Sequence, residues 1–267
     1  MWYIISLVIS VILSVLFKNM IGGLLTERGC LNINYLGNDI PVGMGLMFIP
    51  VIILGSIPLL NVIGDRTFMF DYIIGVVVMG LAGFIDDTLG DGSVKGLKGH
   101  IGKLMHGNLT TGGLKAVSGL MMAAFISFII SASAIDFLLN ALIITLSTNF
   151  LNLLDLRPGR SIKGFLAVIL LVLAFDYSRD MAVILPLLCS VLIYMRDDLK
   201  ADSMLGDTGS NILGISAGVF IAFFGSWYFK IIWSIFLIAI HIYTERYSLT
   251  GLIEGNKVLK FLDELGR

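Results

Sequence analysis

Three polar clusters interrupt an otherwise apolar chain: Asp86-Asp87, Asn149-x-x-Asn152-x-x-Asp155, and Gly206-Asp207-Thr208-Gly209-Ser210. Each stands at the end of a long apolar run. Carboxylates take protons and hold hard cations, and a glycine-rich helix opening leaves backbone N–H groups for phosphate oxygens. Gathered at one aqueous rim, these groups suit a metal-dependent reaction on a phosphate carried by a lipid. Each cluster also has a plainer reading. A charge at the bilayer centre costs about 2.5–3.5 kcal/mol on insertion scales, so acidic residues collect at interfaces anyway. Buried amides pair between membrane helices, and Asp207 is a suitable helix cap. Against the plain reading stands Asp86-Asp87: like charges at a helix C-terminus oppose the dipole, so a divalent cation or a lysine must compensate them. Asn149, Asn152 and Asp155 recur at i, i+3 and i+6, which predicts one shared face near a helix end.

Behind the acidic pair, Lys95, Lys98 and Lys103 alternate with glycines, a pattern that wraps phosphate or simply reflects charge outside a membrane. His100 and His106 lie in the same loop as weaker acid/base candidates. The Gly206–Ser210 stretch is no P-loop, because the Gly-Lys-Ser/Thr ending is missing. Cys30 and Cys189 are isolated and read as apolar filler.

The elements that must position these groups are membrane helices. Hydrophobic residues make up 57% of the 267 and charged residues 14%, where a soluble domain carries about 25% charge. Mean hydropathy is +0.95. Apolar runs long enough to cross a bilayer recur, and the period-2 pattern of a membrane barrel is absent. The fold class expected is therefore all-α, a single polytopic membrane domain over residues 1–267. Nine spans are predicted: 2–21, 44–62, 69–86, 113–134, 136–153, 164–176, 180–195, 208–226 and 228–243. Pro50, Pro58 and Pro186 fall inside them and are expected to kink them. Alternating the loops leaves only Arg66, Arg179 and Lys230, of 18 Lys and Arg, on one side. The positive-inside rule makes the other side cytoplasmic, with the N-terminus outside and the tail, 244–267, inside. Residues 1–17 lack a basic start and a cleavage site, so they read as a retained first helix. The tail from Ser248 alternates apolar and charged residues, as a short amphipathic helix does. A net charge of −1 offers nothing to nucleic acid.

Five pieces in order resemble the polyprenyl-phosphate N-acetylhexosamine-1-phosphate transferases. This superfamily includes the phospho-N-acetylmuramoyl-pentapeptide transferase of peptidoglycan synthesis and the initiators of other cell-wall glycopolymers. The pieces are Pro41-Val42-Gly43-Met44-Gly45, Gly83-Phe84-Ile85-Asp86-Asp87, Lys95 through Lys103, Asn149 through Asp155, and Leu205 through Ser210. The resemblance implies an enzyme of the cell membrane with its active site facing the cytoplasm. It would transfer a sugar-1-phosphate from a UDP-sugar to undecaprenyl phosphate, with Mg²⁺, and release UMP. By position, Asp86 would deprotonate or orient the lipid phosphate, with Asp87 supporting it or the metal; which of the two is the base stays open. Asp207 would hold Mg²⁺, Asn152 and Asp155 would shape the pyrophosphate site with Asn149 beside them, and Lys103 would neutralise developing charge, with Lys95 on the substrate. Family members often dimerise, so the resemblance admits a homodimer.

The chain departs from the family pattern at two places. After Asp155 the family usually continues Gly-Leu-Asp-Gly; here Leu156-Arg157-Pro158-Gly159-Arg160 follows. Arg157 and Arg160 stand where they would grip phosphate instead. The family's histidine-rich loop and tenth span have no counterpart, so a divergent, shortened branch is implied. Two other expectations compete: an impaired relative acting as a membrane scaffold, and a transporter, which would need ionisable residues deep in its spans.

Overall fold

The computed structural model describes residues 1–90, 99, 102–103, 106, 108–175 and 178–267. Lys95, Lys98 and His100 lie outside the described residues. The chain runs α1 (Trp2–Glu27), a hairpin of β1 (Leu31–Ile33) and β2 (Asp39–Pro41), α2 (Phe48–Ser56), α3 (Arg66–Leu89), α4 (Thr111–Ile130), α5 (Ala134–Leu154), α6 (Arg160–Phe175), α7 (Leu185–Leu199), α8 (Gly206–Phe224), α9 (Trp227–Thr244), α10 (Leu249–Gly255) and α11 (Lys257–Glu264). Short 3₁₀ segments, Met44–Met47 and Ile57–Asn61, flank α2, and Arg179–Ile184 leads into α7.

Among the described residues, seven helical stretches are long and apolar enough to cross a membrane. They coincide with seven of the nine expected spans; α6 and α7 are helical where the other two fall but are shorter, at 16 and 15 residues. The surface fits a lipid solvent. Ile4, Phe128, Tyr228 and Ile232 are almost bare, which water would penalise and hydrocarbon does not.

Lipid tails are as apolar as leucine, so close backbone approach and interhelical hydrogen bonds hold such a bundle together. Helix α8 is the axis, buried over nearly its whole length and packed mainly on α5 and α3. Gly214 and Gly218, one turn apart, bring α8 against the backbone of Thr148 and Ile144 in α5. On α1, Ser6, Ser10 and Ser14 recur every four residues and are the buried stripe of an otherwise lipid-facing helix. Ser6 donates to the Gly55 carbonyl at 2.6 Å, and Ser14 shares a 2.9 Å hydrogen bond with Ser190.

The fold is all-α as expected, with one small hairpin added: β1 and β2 pair antiparallel with Leu31 opposite Pro41, closed by Asn34, whose Oδ1 accepts from the Leu36 and Asn38 amides. Six residues of strand flanked by turn signals are too few to register against an apolar background. Pro50 and Pro58 fall within the Met44–Asn61 stretch, which alternates between 3₁₀ and α-helix, and Pro186 falls at the start of α7. Each sits in or near the first turn of a short helical segment, where little or no intrahelical bond is lost.

The segment after β2 docks on the start of α8. Met204 N donates to Pro41 O at 2.7 Å, Met44 N to Met204 O at 3.1 Å, and Gly45 N to Leu205 O at 3.1 Å. A Cβ on Gly45 would collide with the backbone of Gly209. Gly45→Ala therefore forces the two segments apart. We expect a loss of roughly 1–3 kcal/mol, the range for overpacking a filled site, read as a lower thermal midpoint in detergent.

Candidate functional site

The C-terminal end of α3 meets the N-terminal end of α8, and the acidic pair divides its work there. Neighbouring helix residues point about 100° apart. Asp87 turns toward α8. Its Oδ1 accepts from Asp207 N at 2.8 Å, and its Oδ2 accepts from Thr208 N at 2.9 Å and Thr208 Oγ1 at 2.6 Å. The first N–H groups of a helix have no intrahelical partner and carry partial positive charge. Asp87 thus caps α8 from another helix, the task that Asp207 was expected to perform locally. Gly206 makes room: it adopts φ +73°, and a Cβ there would lie 2.5 Å from Asp87 Oδ2.

Asp86 turns the other way, toward α4. The Lys115 ammonium sits 2.7 Å from Asp86 Oδ2 and 2.7 Å from Asp207 Oδ2, bridging two helix ends. A lysine is the compensation that the acidic pair requires, but it is Lys115 rather than Lys103. Lys103 is exposed and joins no ion pair among the described residues. Lys115 stood in the sequence at i+4 from the start of α4, inside an apolar run where an unaccompanied cation is costly.

Asn152 and Asp155 reach the same place from α5. Asn152 Oδ1 accepts from Ser210 Oγ at 3.1 Å. Asp155 is the C-cap of α5. Burial, then the carboxylates of Asp198, Asp207 and Asp87, hold its carboxyl well above the usual carboxylate range. Asn149 does not join them. It is exposed, because six residues carry a helix to about 120° from the starting direction. Asp198, at the end of α7, accepts from Gly159 N at 2.7 Å. Burial pushes its carboxyl up to about 6.

A cleft of about 340 Å³ opens over this floor, lined by Asp87, Asn152, Asp155, Arg157, Asp198 and Asp207, with Asn32, Asn34 and Tyr35 of the hairpin forming a wall. The Arg157 guanidinium lies over the Tyr35 ring, 5.6 Å from its centroid. Arg160, expected to grip phosphate with Arg157, is buried and engaged elsewhere: it holds Asp263 through two nitrogens at 2.7 and 2.8 Å. The hairpin wall and Asp198 carried no sequence signal, since polar loop residues are common and only the fold brings these beside Asp155.

Among the described residues, no three His, Cys, Asp or Glu side chains converge on a metal position. Mg²⁺ needs fewer: it keeps several waters and is usually held by one or two carboxylates together with substrate phosphates. Asp86 and Asp207, oxygen donors already sharing one cation, fit that requirement. Asp87 has Oδ2 taken up by Thr208 and keeps one Oδ1 lone pair beside the Asp207 N–H, so it has less to offer a cation. The chain matches no protein-family profile, and no curated protein matches it.

Two outcomes follow from the electrostatics. Lys115→Met leaves Asp86 and Asp207 facing each other without a cation, lowering the thermal midpoint by an amount equivalent to about 1–3 kcal/mol for this partly exposed group. Millimolar Mg²⁺ should recover part of that loss, and should fail to do so when Asp207→Asn is added. For Asp198 the native carboxyl keeps its proton to higher pH than the unfolded one. Stability therefore falls as pH rises from the ordinary carboxylate range to about 6, and the full cost is present above it. Asp198→Asn still accepts the Gly159 N–H. Its midpoint should exceed that of the unaltered protein at pH 8, and the gap should close toward pH 4.

Proposed function

We propose that the chain is a Mg²⁺-dependent phosphoglycosyl transferase of the cell membrane, moving a sugar-1-phosphate from a UDP-sugar to a polyprenyl phosphate. The observation that carries this reading is the Asp86–Lys115–Asp207 bridge at the head of α8, whose Asp207 end lines a polar cleft at one end of an apolar bundle. The nine-span arrangement, with the N-terminus outside and this end of the bundle cytoplasmic, follows from the positive-inside distribution and belongs to the same proposal.

The chemistry asks one anion to attack another. An oxygen of the lipid phosphate forms a bond to the β-phosphorus of the donor, the bond from that phosphorus to the bridging oxygen breaks, and UMP leaves with the electron pair. Bound Mg²⁺ would supply charge neutralisation between the donor phosphates and the carboxylates of Asp86 and Asp207. Lys115 brings a second positive charge to the same point, and Arg157 offers a third across the cleft. Asp86, whose Oδ2 pairs with Lys115, orients the lipid phosphate or takes its proton when that phosphate is monoprotonated. Asp87 keeps the α8 N-terminus in place. Asn152 and Asp155 form the polar floor on which the diphosphate lies, and Tyr35 and Asn32 face the remainder of the donor, on a hairpin held by Asn34.

The test is UMP release by purified protein in detergent with undecaprenyl phosphate, Mg²⁺ and a panel of UDP-sugars. Release from one donor that depends on both lipid and metal supports the reading. Asp207→Asn and Lys115→Met should each lower the rate by about 10²-fold or more, the scale for losing a group that stabilises transition-state charge. No release from any donor by folded protein refutes it.

A further inference from the structure

The tail after α9 ends in an eight-residue helix, α11, that is tied by hydrogen bonds to the wall of the cleft. Asp263, 9% exposed, receives the Arg160 guanidinium as a two-pronged pair. Arg160 Nη1 also donates to Thr250 Oγ1 at 2.9 Å. Lys163 Nζ donates to the carbonyls of Leu262 and Asp263 at 3.0 and 2.7 Å. Arg267 closes the arrangement: its Nη2 holds Asp263 at 2.7 Å while its Nε donates to Pro158 O at 2.9 Å. The residues so gripped continue into the cleft. Arg157 and Pro158 line it, and Gly159 N–H is held by Asp198, which lines it beside Asp155.

A buried ion pair contributes little net stability over apolar packing, because both charges must be desolvated. Its distinctive product is direction, and a guanidinium fork on a carboxylate fixes two planes at once. This one fixes residues 156–160 to α11.

The other face of α11 is exposed among the described residues. At 100° per residue, Val258, Phe261 and Leu262 share an arc roughly opposite Asp263 and Lys260, with Lys257 and Glu264 toward one flank and Leu265 following as the C-cap. Val258 and Phe261 are 67% and 64% exposed. Arg160 is the first residue of the apolar helix α6, so its partner is held at the level where a helix leaves the membrane. An apolar arc at that level, with lysines on the polar side, is suited to the surface of an anionic bilayer.

We propose that α11 is a lipid-seated strut, and that Asp263 is the positioning residue through which it sets the 156–160 wall of the cleft. The kinetic part of the test rests on the transferase reading; the structural part does not.

Full-length protein carrying Cys30→Ser and Cys189→Ser is placed in nanodiscs containing phosphatidylglycerol, with nitroxides on Leu156→Cys and Val258→Cys. A single narrow distance is expected. Asp263→Asn should broaden it and Asp263→Glu, which keeps the charge, should restore it; an unchanged distribution in Asp263→Asn overturns the clamp. A nitroxide at Phe261→Cys should relax faster with oxygen than with a water-soluble nickel chelate, and the reverse order overturns the lipid seat. In UMP release, Asp263→Asn should raise the donor KM about tenfold with kcat nearly unchanged. A fall in kcat at constant KM overturns the positioning role. If the unaltered protein releases no UMP, the transferase reading fails and the nitroxide results still decide the strut.

Discussion

The head of α8 must be satisfied before anything else at this rim can be arranged. A helix start buried inside a membrane bundle exposes N–H groups that lipid cannot solvate. Here the partner comes from another helix. Asp87 supplies both carboxylate oxygens to Asp207 and Thr208, and the C-terminus of α3, where an anion is otherwise unwelcome, gains a positive helix end in return. Gly206 takes a left-handed conformation to let that carboxylate in, and the Pro41–Gly45 segment is laced to Met204 and Leu205 beside it. Once Asp87 is engaged with α8, Asp86 is left facing α4, where it pairs with Lys115.

The cleft is rich in carboxylates and short of cations, and that imbalance organises the rest. Lys115 serves two aspartates at once. Asp155 and Asp198, near one another with little compensation, hold their protons more tightly than ordinary carboxylates. Arg157 stacks on the hairpin instead of pairing with an acid, so its charge remains available across the cleft. Arg160 is drawn away to the tail by Asp263. A floor of this kind favours ligands that bring positive charge with them, which a phosphate accompanied by a divalent cation does. The proposed transfer reaction accords with that preference.

Much of the architecture was legible as pattern. Apolar runs marked the seven helical stretches that are long enough to cross a membrane, and the ends of α3, α5 and α8 carried the polar clusters that meet in space. The signal failed where an element is short or where its role depends on a partner. The hairpin is six residues of strand with no long apolar alternation. The serine stripe on α1 has meaning only because Gly55 and Ser190 face it. Asn149 shares the spacing of Asn152 and Asp155 yet points outward, because that spacing drifts around a straight helix.

Composition and hydropathy determined on their own that this is a helical membrane chain with its polar chemistry at helix ends, because lipid permits few other solutions for the backbone. Residue types alone also required that Asp86-Asp87 be compensated. Which cation compensates them was decided by tertiary structure. Lys115 lies 29 positions beyond Asp86 in the numbering and Asp207 a further 92, and only packing of α3, α4 and α8 brings the three together. The same holds for Asp87 as the cap of a distant helix and for Arg160 as a clamp on the tail. Each is an ordinary charged residue in sequence, and its role is set by what the fold places within hydrogen-bonding reach.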